Sequence, residues 1–178
     1  MRRKEILILA VIITLFSLAS CVMQTPTTTK DEHFLAFEKR FSALPDGSTA
    51  TPWQIERSGD DMIYTTVLFC GEQYSYTLEL ITNKDDRVVS LCLQNECVDA
   101  GNSCFAELSY HVYCAMGFND IDAKGNRPFT DADAFCSYFK LCPYQLAESS
   151  AWINRYEVKH TYISGLKTES FTIIYPST

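Results

Sequence analysis

The sequence predicts an α+β domain: an antiparallel sheet, made of a four-strand meander and a C-terminal hairpin, covered on one face by an N-terminal helix and two or three central helices. Three observations predict it. Residues 53–94 fall into period-two runs with short reversals between them, the pattern of antiparallel neighbours. Apolar stripes at helical spacing stand before that block and after it. A second pair of alternating runs closes the chain from residue 155 onward.

The first helix is expected from Thr29-Lys30-Asp31-Glu32, read as a capping box with Thr29 as N-cap and Glu32 at the third helical position. Phe34, Phe37, Phe41 and Leu44 follow on one helical face, and Pro45-Asp46-Gly47 stops the helix. Trp53 and Ile55 alternate with Gln54 and Glu56 as a short edge strand, and Ser58-Gly59-Asp60-Asp61 reverses the chain. Met62 to Cys70 is rich in β-branched and aromatic residues, and Tyr64 shares its face with Met62, Thr66 and Leu68. Tyr74, Tyr76, Leu78 and Leu80 face one side of the next strand, and Val89, Leu91 and Leu93 one side of the strand after it. The tyrosines among them read as core before they read as a binding surface, because they share a face with leucines.

Residues 95–102 form a cysteine-bearing loop. Ser103 is placed to cap a helix with Phe105, Leu108, Val112 and Ala115 as its stripe, ending near Gly117. Thr130 to Asp133 caps another that carries Phe135, Cys136 and Phe139 to about Leu141. Pro143 starts a further short helical segment through about Ala151. Tyr156, Val158, His160 and Tyr162 then share a face, Ser164 to Lys167 turns, and Phe171, Ile173 and Tyr175 return.

Composition narrows the function. The 178 residues carry a formal charge of −7, with no basic stripe to neutralise phosphates, which argues against a nucleic-acid partner. Hydrophobic residues make up 47%, enough for a packed core and too many for a disordered chain. Eight cysteines occur without any Cys-x-x-Cys spacing, which lowers the zinc and thioredoxin-like readings and points to no cofactor.

The amino terminus carries the strongest signal. Arg2, Arg3 and Lys4 precede an apolar run from Ile6 to Ala19, fourteen residues long. As a helix that run covers about 21 Å, short of the roughly 30 Å of a bilayer core. It reads as an export signal rather than a membrane span. The run ends Leu18-Ala19-Ser20-Cys21, which resembles the lipobox of bacterial lipoproteins. That resemblance covers the signal alone. It implies a signal peptide at 1–20, a diacylglyceryl group on the Cys21 thiol, and cleavage just before Cys21. The mature chain then has 158 residues, and losing three bases and one acid takes its charge to −9. Residues 21–28 make a short tether, and 29–178 a single domain. The expected protein is lipid-anchored at the cell membrane on the extracytoplasmic face, a binding or accessory module whose partner is an envelope protein or a small ligand. Acyl chains hold it there, because anionic head groups repel an acidic body.

Two other functions compete. His111 and Cys114 lie three apart on one helical face, and His160 sits on an apolar strand face, so a surface hydrolase or thiol enzyme would use His111 or His160 with a free cysteine. His33, just after the first cap, reads as exposed. No Gly-x-Ser-x-Gly, His-Glu-x-x-His or phosphate loop accompanies them. Residues 120–131 resemble a degenerate EF-hand calcium loop, with Asp120, Asp122, Gly125 and Asp131 at positions 1, 3, 6 and 12, and Lys124 where a ligand belongs.

Overall fold

A computed structural model describes residues 30–72, 74–85, 87–95, 103–141, 148–163 and 168–176. The signal at 1–20, Cys21, the tether, Thr29, Cys97, Cys142, the start of the segment from Pro143 and the turn at Ser164 to Lys167 lie outside them. Among the described residues, three helices accompany eight strands, all paired antiparallel in one open sheet, so the fold class is α+β. In chain order the elements are α1 (Glu32–Phe41), β1 (Ser48–Ala50), β2 (Gln54–Ser58), β3 (Asp61–Cys70), β4 (Tyr74–Thr82), β5 (Val88–Asn95), α2 (Ser103–Ala115), α3 (Ala132–Tyr138), β6 (Ser149–Ile153), β7 (Tyr156–Ile163) and β8 (Thr168–Ile174). The lateral order is β1-β3-β4-β5-β8-β7-β6, with β2 also on β3.

β1 and β2 share one lane along β3, interrupted at Thr51 to Trp53. Pro52 has no N–H to give a ladder, so the pairing breaks there. Thr51 bridges the gap: its N–H donates to the Val67 carbonyl at 2.9 Å, and its Oγ1 accepts from Val67 N at 3.0 Å.

The start of α1 differs from the capping box read in the sequence. Asp31 is the N-cap, its Oδ1 accepting from Phe34 N at 2.7 Å. Thr82 Oγ1 and Tyr64 Oη donate to its Oδ2 at 2.6 and 2.7 Å. One carboxylate therefore caps the helix and ties it to β3 and β4. Local pattern favoured Thr29, but the hydroxyls that select Asp31 come from strands 33 and 51 residues away. Phe34 stacks on Tyr64 with ring centroids 3.8 Å apart.

The apolar face of β5 also departs from strict alternation. A register irregularity between Ile81 and Thr82 pairs Thr82 with Val88 and Ile81 with Ser90. The extra residue puts Val88 in the core and leaves Val89 half-buried.

Helix α2 is buried nearly all round, and begins at Ser103 itself. Phe105 meets Tyr76 and His160, while Tyr113 lies against Phe118, Phe129, Phe135 and Phe139. Phe135 and Phe139 from the α3 region reach Phe171 of β8. A disulfide joins Cys70 at the end of β3 to Cys104 in the first turn of α2.

α3 stops at Tyr138, short of the expected Leu141. Lys140 adopts φ +54°, and Leu141 N donates back to the Cys136 carbonyl at 2.9 Å, closing a Schellman motif. The helix expected through Ala151 is corrected too: residues 149–151 belong to strand β6, paired with β7. Asn154 and Arg155, at φ +49° and +71°, turn β6 into β7 as a two-residue loop of type I′ form.

Candidate functional site

The residues singled out in the sequence are not brought together. His111 Nε2 lies 3.3 Å from the Phe41 carbonyl, with its ring against the Phe41 ring. Burial pushes its pKa below the ordinary histidine value. Cys114 interacts instead with Tyr110 and Asn119, and burial pushes its thiol up. A base that resists protonation and a thiol that resists ionisation are the reverse of a thiolate–imidazolium pair. The Cys92 thiol is likewise raised by burial, with a further push from the Glu79 carboxylate. Both thiols are therefore expected to react with iodoacetamide at neutral pH more slowly than an exposed cysteine peptide, measured as modification rate by mass spectrometry.

His160 is 1% exposed and faces the core between β8 and Phe105. Its Nε2 lies 2.9 Å from Glu169 Oε1, and among the described residues its Nδ1 has no hydrogen-bond partner. The pair is sealed from solvent. Any role it has is in holding β7 against β8.

The carboxylates of the 120–131 loop point to separate tasks. Asp120 pairs with Arg40 at 3.2 Å. Asp122 accepts from Lys124 N and Asn126 N, both at 2.8 Å, and these bonds hold its pKa below the usual aspartate value. Asp131 caps α3 through Ala134 N at 2.8 Å. Among the described residues no three His, Cys, Asp or Glu side chains gather as a metal site would require.

A different place combines shape with charge. A cavity of about 260 Å³ opens where α1, the start of β5, the end of α2 and the start of β7 meet. Phe37, Val88, Met116, Phe118 and Tyr156 make its apolar wall, and His33, Arg40 and Arg87 stand around it. Among the described residues, none that lines it is acidic. Both guanidinium groups are held in place. Arg40 is paired to Asp120 and lies over Gly117, where a Cβ would fall 2.0 Å from Arg40 Nη1 and displace the guanidinium. Arg87 stacks over the Tyr175 ring at 4.6 Å, and Tyr175 packs edge-on against Tyr156. Tyr156 Oη donates to the Val88 carbonyl at 3.1 Å, which fixes that wall.

Two wider hollows carry less. One lies beside the disulfide with Asp46 and Glu72, the other beside Asp120 and Asp122, and both are shallow and acidic. Sequence reading missed the cationic cleft, since its residues come from four separated segments and form no local motif.

Among the described residues, the fold is that of a small α+β protein that carries a cation-lined pocket. No family model matches the chain, and no curated protein or solved structure matches it. Among the described residues no helix is long and apolar enough to cross a membrane.

Proposed function

We propose that this chain is a lipid-anchored extracytoplasmic module of the bacterial cell envelope, held at the membrane by a diacylglyceryl group on Cys21, that binds a ligand or serves a larger envelope assembly. The Cys70–Cys104 disulfide carries the reading. Such bonds form and persist in oxidising compartments and are rare in reducing ones. That agrees with a basic, apolar, Cys21-terminated leader that directs export. The scaffold of this module is a four-strand meander joined to a C-terminal hairpin, with the three helices over one sheet face. Contacts from Phe34 to Tyr64, Phe105 to Tyr76 and Phe135 to Phe171 support that arrangement.

The intact mass of protein extracted from membranes tests the reading. A chain beginning at Cys21 and carrying acyl mass is the expected result. A chain that begins elsewhere without lipid overturns it. Alkylation without reduction should leave Cys70 and Cys104 unmodified.

A further inference from the structure

We propose that the cleft bounded by Arg40, Arg87 and His33 binds a small carboxylate with an apolar or aromatic body. The inference adds a ligand class to the envelope reading and does not depend on the anchor.

Charge placement is the first support. The chain has 22 acidic and 15 basic residues, so a random patch is acidic, yet among the described residues the lining of this cleft holds two arginines and a histidine with no acid. Asp120 offsets Arg40 from outside the cavity. Arg87 makes no ion pair among the described residues, and its planar fork suits a carboxylate.

Order is the second. A guanidinium already fixed by a ring or a carboxylate loses little freedom when an anion arrives. Arg40 has Asp120 and the bare Gly117 backbone, and Arg87 has Tyr175. Shape is the third. The cavity's 260 Å³ lies just under the roughly 300–1,000 Å³ of small-molecule pockets, which limits the ligand to a compact molecule rather than a peptide. The wall from Phe37 to Tyr156 is apolar, so it accepts the ligand's body while the arginines take its charge.

Calorimetry on the detergent-extracted full chain, with benzoate as the probe, tests this. Benzamide keeps the ring and removes the charge; acetate keeps the charge and removes the ring. Saturable benzoate binding is expected, with both controls at least about tenfold weaker. Arg87→Gln should weaken benzoate by about tenfold or more with the melting temperature unchanged, because Arg87 is exposed and outside the core. No saturable benzoate binding, equal binding of benzamide or acetate, or full retention in R87Q each overturns the proposal. The anchor is read separately by mass, so either reading can fail without the other.

Discussion

His160→Leu should lower the unfolding free energy by about 3–5 kcal/mol, read from urea denaturation of the full chain in detergent. The substitution leaves Glu169 buried without the partner that lies 2.9 Å from its Oε1, His160 Nε2. A carboxyl buried without a hydrogen-bond partner costs more than the bond itself contributes. The decisive comparison is the double variant His160→Leu/Glu169→Leu. Removing both polar groups removes the orphan, so much of the loss should return, because apolar replacement of a buried pair is often neutral. If the double variant is as unstable as the sum of the singles, the two groups do not act as a pair.

Asp31→Ala comes next, with an expected loss of about 2–3 kcal/mol. A helix cap contributes about 1 kcal/mol, and hydrogen bonds to a charged acceptor about 1.5–3 each, though the bonds are not additive. Here one carboxylate accepts from Phe34 N, Tyr64 Oη and Thr82 Oγ1. The same bonds set a pH signature. Burial pushes the Asp31 pKa up, but the Thr82, Phe34 and Tyr64 donors outweigh it and hold the group below 3.8. A lowered folded pKa contributes stability above the unfolded value, and that contribution is lost as pH falls through the folded one. The gap between wild type and Asp31→Asn should therefore be full at neutral pH and shrink as pH drops below 3.8. A gap that stays constant through that range means Asp31 is not held as a carboxylate by these donors. Tyr64 shows the other side of this contact: burial, and then Asp31, push its phenol up to about 12.

What was legible in the sequence follows from where the physical signal is local. Alternation in Met62 to Cys70 and Tyr74 to Thr82 marks strands, because one face of each is buried and the other is not. β1 was not legible, since three residues of Ser-Thr-Ala carry no period. β6 reads Ser-Ser-Ala-Trp-Ile, and only its pairing with β7 makes it a strand. Its turn uses Asn154 and Arg155 without glycine, so the usual mark of a tight hairpin is missing. The cap of α1 reads as Thr29 in the sequence, but Asp31 is selected by Tyr64 and Thr82, which no window around residue 31 contains. The cleft was hidden for a related reason. Arg40 and Arg87 look like ordinary surface cations until the fold brings Gly117 and Tyr175 beneath them.

The break between β1 and β2 has a consequence for crowding. A protein tethered in a membrane plane meets its own copies with their orientations already matched, which favours strand addition between neighbours. An open sheet edge is a template for such stacking. On this side the edge lane is two short pieces of three and five residues, with Pro52 in the gap and the Thr51 N–H already engaged with Val67. A neighbouring chain finds no unbroken ladder to extend. Under the proposed lipid anchoring, copies would share a surface at high density without zipping into a continuous sheet through this edge.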